Sequence, residues 1–559
     1  MELLLRCAGV LVVCWMCTAE QVTITSGTLR GTTFQTHSNR TVHAFLGIPY
    51  AKPPTQGLRF QEPRVLDSWD GIRDATKEGS RCPQLSFPEN KFEGSEDCLY
   101  LNVFTPRMSC HGRQMDVIVI LHAGGFTHGS GDIAMYGPDY LMDHNVVMVT
   151  ANYRLGALGF LSTGDEHAPG NYGLKDQVDV LRWVHRNIPY FSGNPNRVTL
   201  FGAQAGAASV HLHMLSPLSR NLFHRAVSQS GTALSPWAHV TAESAQQRAV
   251  KLAQLAGCKK TQTSQQVVQC LRKIPAKDLV ELSPRVLNSS TEYSYPFVPV
   301  DDEMVGENVK PFLHNRPIKI MENPLIGTWE IPWLVSVTSD EGLPQSLQVM
   351  VYPTLMEGLD TQPEKHILKY LGLDVQPQEK ADLIAHKIWD KYFRNLTLSY
   401  ATLIRLAEMT SDFNYYHGLV KSINTLVQAS DVPVFMYHFS YNRRDPRISL
   451  GVPQGEDTLY MFPDTVGDTK MAVDPQHLHV THTLLHILLM FARYGDPTPE
   501  PWDQLNDSQW PTATHDEMQY LEIGISLSVK DSFHPRRMAF WDDIFNMLED
   551  KEETPHDEL

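Results

Sequence analysis

The stretch VTLFGAQAGAASV, residues 198–210, narrows the possible folds more than any other part of the sequence. An apolar run comes first, and a turn follows in which Gly202 and Gly206 flank Gln204. The residues after the turn fit the first turns of a helix. The stretch therefore predicts a buried strand that bends sharply into a helix, with Gln204 at the bend.

Other apolar runs in the sequence also end in glycine-rich or polar loops. They span residues 115–131, 145–154, 333–342 and 433–441. Residues 173–189 instead carry apolar side chains at helical spacing until Pro189 ends the pattern. Such runs are typical of strands buried on both faces of a mostly parallel sheet. Strands that alternate with helices predict a doubly wound α/β fold, with functional groups at the carboxyl ends of the strands.

The composition of the chain indicates a folded globular protein and argues against a nucleic-acid partner. Of the 559 residues, 42% are hydrophobic and 20% are charged, which is the balance of a folded globular chain. No linker rich in Ser, Gly or Pro divides the sequence, so we expect residues 20–548 to form a single domain. The formal net charge is −16, so the positive field that attracts phosphate backbones is missing. We therefore expect no nucleic-acid partner.

Both ends of the chain carry signals of the secretory route. Residues 1–19 contain an apolar run of signal-peptide length, shorter than the roughly 18 to 20 apolar residues of a membrane span, so we expect a signal peptide that is cleaved close to Ala19 rather than a signal anchor. No later run is long and apolar enough to span a membrane either. Residues 549–559 form an acidic tail that ends in HDEL, a retention signal, so we expect a protein of the endoplasmic reticulum lumen. Four glycosylation sequons fit this route, at Asn39, Asn288, Asn395 and Asn506.

Several long stretches carry a resemblance that covers most of the chain. They read FLGIPYAKPP (45–54), EDCLYLNVFTP (96–106), NYRLGALGFLSTGD (152–165), PGNYGLKDQVDVLRWVHRNI (169–188), FHRAVSQSG (223–231) and YGDPTPEPW (494–502). In this order they resemble the type-B carboxylesterase and cholinesterase family. The resemblance implies an α/β-hydrolase fold, with a mostly parallel central sheet flanked by helices and a deep gorge that leads to the active site.

Five cysteines lie beyond residues 1–19. The lumen of the endoplasmic reticulum is oxidising and favours disulfides between them. Pairing Cys82 with Cys98 and Cys258 with Cys270 would close two short loops, each worth about 2–4 kcal/mol in the loop-entropy model. The resemblance implies the same two disulfides. Cys110 would then be left over.

The resemblance also assigns roles in ester hydrolysis. In this chemistry a serine attacks the ester carbonyl, a histidine carries its proton, and an acid orients the histidine. Backbone N–H groups stabilise the oxyanion, and the resemblance gives this role to Gly124, Gly125 and Ala205. The acid position falls on Glu341, within TSDEG.

The sequence departs from the family at the two remaining positions. The serine position holds Gln204, and the histidine position, within LGVPQGEDTLYMF, holds Gln454. A carboxamide has no ionisable proton near neutral pH and a poorly nucleophilic oxygen. We therefore predict a degenerate triad of Gln204, Glu341 and Gln454 that does not catalyse serine-esterase chemistry. We further predict that the Gln454 amide donates to Glu341 while its oxygen accepts from Gln204.

We expect no other serine or histidine to replace the missing catalytic groups. Ser209, Ser228 and Ser230 lie off the bend, and no second G-x-S-x-G occurs. His482 and His486 have i, i+4 spacing but lack the glutamate of H-E-x-x-H, so we expect an ordinary amphipathic helix and no metal site. No cofactor is predicted.

Three functions stay open at this point. The protein could bind a small apolar or ester-like ligand without cleaving it, or it could bind a protein partner of the secretory pathway. The alternative is an active carboxylic ester hydrolase that works by a non-standard route.

Overall fold

The computed structural model describes residues 20–86, 89–108, 113–287, 295–302, 310–323, 331–394, 396–442, 450–462, 475–514 and 517–549. The strands in these ranges are β1 Gln21–Ile24, β2 Gly27–Arg30, β3 Thr32–Gln35, β4 Thr41–Pro49, β5 Ile72–Asp74, β6 Gln84–Leu85, β7 Phe92–Glu93, β8 Tyr100–Thr105, β9 Met115–Leu121, β10 Val146–Ala151, β11 Gly193–Ala203, β12 Arg225–Gln229, β13 Trp333–Thr338, β14 Val434–Phe439, β15 Tyr520–Ile523 and β16 Leu527–Lys530.

The helices in the same ranges lie mainly between these strands. They are α1 Gly156–Phe160, α2 Tyr172–Asn187, α3 Ala205–Leu215, α4 Ala242–Leu255, α5 Ser264–Leu271, α6 Ala276–Leu282, α7 Pro317–Met321, α8 Leu343–Val351, α9 Pro353–Thr361, α10 Pro363–Tyr370, α11 Gln378–Tyr392, α12 Leu403–Ser411, α13 His417–Ala429, α14 Glu456–Met461, α15 Pro475–Tyr494 and α16 Pro535–Glu549.

A central sheet of eleven strands organises the fold. Its order is β16-β15-β14-β13-β12-β11-β9-β10-β8-β4-β3. Neighbours from β10 to β15 pair in parallel, whereas β16 at one end and β8, β4 and β3 at the other pair antiparallel. The mostly parallel sheet flanked by helices is therefore confirmed.

The predicted apolar runs form the middle of this sheet, and β9 shows why. Its seven residues are all buried. Val117 and Val119 contribute to one hydrophobic core, and Ile118 and Ile120 contribute to the other. Side chains alternate between the two faces of a strand, so a strand covered on both faces needs apolar residues at consecutive positions.

The predicted helix at residues 173–189 is α2. It ends at Asn187, and a 3-10 turn that contains Pro189 follows at once. The histidine-rich stretch forms α15, where the His486 ring stacks on Trp502 with centroids 4.6 Å apart.

Both predicted disulfides are present, as Cys82–Cys98 and Cys258–Cys270. The first closes a loop that contains the hairpin of β6 and β7. Cys110 lies outside the described residues, as do the sequons at Asn288 and Asn395. Asn39 and Asn506 are exposed.

Candidate functional site

The bend between β11 and α3 has the predicted strand-turn-helix form. Gln204 sits there at φ 51° and ψ −111°, a conformation that residues with side chains rarely adopt. The turn is tight because both flanking glycines are enclosed. A Cβ on Gly202 would come closer than 3.0 Å to the Gly206 backbone, and one on Gly206 closer than 3.0 Å to the carbonyl of Leu121. The bend therefore needs glycine on each side, and it presents Gln204 at the carboxyl end of the sheet.

Both ends of the Gln204 carboxamide are hydrogen-bonded. The backbone N–H of Gly124 donates to Oε1 over 3.0 Å, and Nε2 donates to the hydroxyl of Tyr295 over 3.0 Å. A backbone N–H can only donate, so it fixes which end of the carboxamide carries the oxygen. Gln204 therefore occupies the N–H that the resemblance assigns to an ester oxyanion.

The loop expected to supply oxyanion donors lies directly beside Gln204. Gly124 and Gly125 have φ of 116° and 59°, in the region that favours glycine. A Cβ on Gly125 would come closer than 3.0 Å to the ring of Tyr295. Ala205 is the first residue of α3 and is buried. Gly124 therefore lies at the bend through its hydrogen bond to Gln204, Ala205 is the residue that follows Gln204, and the Tyr295 ring lies against Gly125.

Tyr295 is the residue of this site that the sequence does not reveal. It belongs to none of the quoted family stretches and to no predicted element. Tyr295 lies 91 positions from Gln204 in the sequence, so no local spacing predicts the hydrogen bond between its hydroxyl and Gln204. Burial raises the pKa of the Tyr295 hydroxyl to about 12, which keeps it protonated at neutral pH.

Glu341 is fully buried after β13. Its Oε1 accepts from the hydroxyl of Ser230 over 2.6 Å and from the backbone N–H of Thr338 over 2.8 Å. Its Oε2 has no hydrogen-bond partner among the described residues. Burial raises the pKa of this carboxyl to about 8, and the hydrogen bonds from Ser230 and Thr338 oppose that shift only in part. The acid is therefore mostly protonated at pH 7.

Gln454 approaches Glu341 through a short backbone pairing. Asp340 and Pro453 form a parallel bridge, and the N–H of Asp340 donates to the carbonyl of Val452 over 3.0 Å. The buried Nε2 of Gln454 nevertheless has no partner among the described residues.

The predicted hydrogen bonds of Gln454 to Glu341 and Gln204 are therefore wrong. Gly124 and Tyr295 already satisfy both ends of the Gln204 carboxamide. The bonded oxygen of Glu341 takes its donors from other residues.

The other serines considered from sequence have structural hydrogen bonds. The Ser228 hydroxyl donates to the carbonyl of Ala207 over 3.1 Å and accepts from the indole of Trp333 over 3.1 Å. Ser209 lies within α3, where its hydroxyl accepts from the side chain of Gln177 over 3.3 Å. Neither stands at the bend.

A cavity of about 280 Å³ opens beside this site, and we call it the outer cavity. The loop closed by the first disulfide, the residues that follow Phe126, and α6 form its walls. Its lining is mostly apolar and includes Leu85, Leu158, Leu279 and Val280. Tyr295 also lines it, whereas none of the three triad positions does.

The family model described as "Carboxylesterase family" matches residues 18–541. The chain belongs to the carboxylesterase family. As a carboxylesterase-family protein it is similar to juvenile hormone esterase of Tribolium castaneum, with 33% identity over 546 residues that cover 92% of each chain. It is also 35% identical to esterase FE4 of Myzus persicae over 509 residues, which cover 88% of this chain and 87% of that protein.

A mammalian protein is also similar to this chain. Acylcarnitine hydrolase of Rattus norvegicus is 32% identical over 521 residues, which cover 89% of this chain and 86% of that protein. The names of these relatives describe ester hydrolases, and this carboxylesterase-family chain shares their fold. Within the described ranges, no helix combines the length and apolar character needed to cross a membrane.

Proposed function

We propose that this protein holds a small apolar or ester-like ligand without cleaving it by serine-esterase chemistry. One observation carries the proposal: at the bend where the family places a nucleophile, the Gln204 carboxamide binds the Gly124 N–H through its own oxygen. A carboxamide supplies neither an alkoxide nor a proton carrier. The outer cavity supports the ligand-binding part, because it is largely apolar and carries a few polar groups.

The rate of serine-esterase chemistry depends strongly on its nucleophile and its base. In a well-characterised serine protease, removal of either residue lowers kcat about 10⁶-fold. The acceleration over the uncatalysed reaction that remains comes from the oxyanion hole and substrate binding. In this chain one candidate oxyanion donor, the N–H of Gly124, is already hydrogen-bonded to Gln204. We therefore expect any ester hydrolysis by this chain to be slower than the residual rate of such a protease variant.

The site of action we propose is the lumen of the endoplasmic reticulum. Residues 1–19 and the HDEL tail support this, and the exposure of Asn39 and Asn506 leaves both sequons accessible to glycosylation. Mass spectrometry of the protein from secretory cells, before and after removal of N-glycans, tests this placement. An unprocessed, unglycosylated chain would contradict it.

The decisive assay uses the purified full chain with a serine-reactive fluorophosphonate probe and with a simple aryl ester. We expect no labelling and no turnover above a heat-denatured control. The Gln204→Ser, Gln454→His double variant is the matched positive control and is expected to show measurable ester hydrolysis. A double variant that folds but stays inactive would indicate that the gorge itself has diverged.

The alternative of an active hydrolase is supported by the names of the relatives. Turnover of the aryl ester by the unmodified chain, abolished by Glu341→Gln, would establish that alternative and overturn the proposal. Native mass spectrometry then separates the remaining functions. A retained small molecule supports ligand binding, and an empty chain that co-purifies with a protein supports an interaction role.

A further inference from the structure

Tyr295 is held in place at three points. Its hydroxyl accepts from Gln204 over 3.0 Å, and its ring meets Trp237 edge to face with centroids 6.1 Å apart. The guanidinium of Arg248, on α4, donates to the carbonyls of Tyr295 and Pro296 over 3.0 and 3.1 Å. The hydroxyl, the ring and the backbone are thus fixed by different elements, so the position of this side chain is determined by the fold.

The fixed ring lies against the oxyanion loop. The space that a Cβ on Gly125 would need is taken by the Tyr295 ring, and the N–H of Gly124 is taken by Gln204. A ligand carbonyl could reach the Gly124 N–H only by displacing the carboxamide, and the carboxamide is held at its other end by Tyr295. The two side chains therefore support each other.

The same ring forms a wall of the outer cavity. Tyr295 lines this cavity, and Gln204, Glu341 and Gln454 lie outside its lining. None of the described lining residues carries a formal charge. His128 is the one histidine among them, and burial lowers its pKa and so favours its neutral form. An ionised ligand would lose its hydration there without gaining a charged partner.

We propose that Tyr295 and Gln204 form a plug, in which Gln204 occupies the oxyanion hole from within and Tyr295 separates the outer cavity from position 204 and from the other two triad positions. The ligand site of this protein is then the outer cavity alone, and it takes uncharged apolar molecules that fit about 280 Å³. The ligand class rests on the proposed function, whereas the plug does not. Tyr295 acts as a positioning residue, because it holds Gln204 and bounds the cavity.

The first test measures access to position 204 without any catalysis. In the chain without residues 1–19, Gln204→Cys made together with Cys110→Ser leaves the thiol at the bend as the one cysteine outside the two disulfides. The thiolate adds to the double bond of uncharged N-ethylmaleimide, and the neighbouring carbon takes up a proton. We expect Tyr295→Ala in this background to raise the alkylation rate at least about tenfold, since the thiolate and its accessibility set that rate.

Tyr295→Phe is the matched control for the first test. It keeps the ring, so its alkylation rate is expected to stay within about twofold of the rate with Tyr295. Equal rates for Tyr295 and Tyr295→Ala would overturn the plug. If Tyr295→Ala does not fold, Arg248→Met removes the backbone anchor instead, and an unchanged rate there would count against the plug in the same way.

The second test measures the ligand class with N-phenyl-1-naphthylamine, an uncharged apolar dye that fluoresces when bound. Val280→Trp fills part of the outer cavity and is expected to weaken dye binding at least about tenfold. Val351→Trp, at an exposed position on α8, is the matched control and leaves binding unchanged. We expect 1-decanol to displace the dye and decanoate to compete at least about tenfold more weakly.

Each outcome of the second test decides one part of the inference. Equal competition by decanoate, or tight dye binding by Val280→Trp, would overturn the assignment of uncharged ligands to the outer cavity. A small molecule retained in native mass spectrometry together with tight binding by Val280→Trp would keep the proposed function and reject this placement. Ester turnover by the unmodified chain would instead reject the proposed function.

Discussion

Gln204 and Gln454 are the same residue type at two predicted triad positions, yet their amide groups differ. The Gln204 carboxamide has a partner at each end, whereas the Nε2 of Gln454 is buried without one among the described residues. Leaving a buried donor unpaired costs about 1–3 kcal/mol, while removing a group that already lacks its partner costs little. The two residues therefore form a matched pair for mutation.

We expect Gln204→Leu to lower the free energy of unfolding by about 1–3 kcal/mol, because it removes the acceptor for the Gly124 N–H and the donor to Tyr295. Gln454→Leu is the control and is expected to be neutral or stabilising. Urea denaturation of both variants measures the difference. Equal losses would contradict the hydrogen-bonding assigned to Gln204.

Glu341 makes the stability of the protein depend on pH. Its pKa is raised from 4.5 to about 8, so the folded state keeps a proton that the unfolded chain releases. This stabilisation is present in full below pH 4.5 and is lost as the pH rises through about 8. We expect Glu341→Gln to lose less unfolding free energy than the unmodified chain as the pH rises over that interval. Glu517→Gln, at an exposed carboxyl, is the control, and parallel curves for all three proteins would contradict the prediction.

At the scale of elements, the bend between β11 and α3 depends on its glycines. A Cβ on Gly206 would overlap backbone atoms of Leu121, which cannot move without disturbing β9. We expect Gly206→Ala to lower the free energy of unfolding by about 1–3 kcal/mol or more, as overpacking does. Gly57→Ala is the control, because a Cβ there meets no atom within 4 Å. A comparably small effect at both glycines would show that the bend tolerates a side chain.

The strands and the bend could be predicted because their signals are local. Consecutive apolar residues in β9 and β13 indicate strands covered on both faces, and glycines spaced four apart indicate the bend. The partners of Gln204 could not be predicted, because Gly124 and Tyr295 lie 80 and 91 positions away. Which donor and which acceptor a buried carboxamide contacts depends on packing that local spacing does not encode.

At the scale of the whole molecule, a buried ion pair joins α16 to the segment between α12 and α13. Asp412 is fully buried and accepts from Arg537, on α16, through Nε over 2.7 Å and through Nη2. The Tyr392 hydroxyl also donates to Asp412 over 2.6 Å. Burial raises the pKa of Asp412 to about 6, although Arg537 opposes the shift.

Arg537→Met removes the cation and leaves this carboxyl buried. We expect the free energy of unfolding to fall by about 3–5 kcal/mol at neutral pH, and Asp412→Asn in the same background to recover part of the loss. Lys52→Met breaks the exposed pair with Asp67 and is expected to cost at most about 1 kcal/mol. Losses of equal size at Arg537 and Lys52 would contradict the role given to burial.

The positive φ of Gln204 has a consequence for the chemistry that this bend could support. Residues in such a conformation cost about 1–3 kcal/mol when they carry a side chain, and a serine at this position would bear the same cost. The backbone form is held by Gly202 and Gly206, which remain. Under the proposed function, serine-esterase chemistry would thus require new side chains but no new main-chain path, so it lies only a few codons from this sequence.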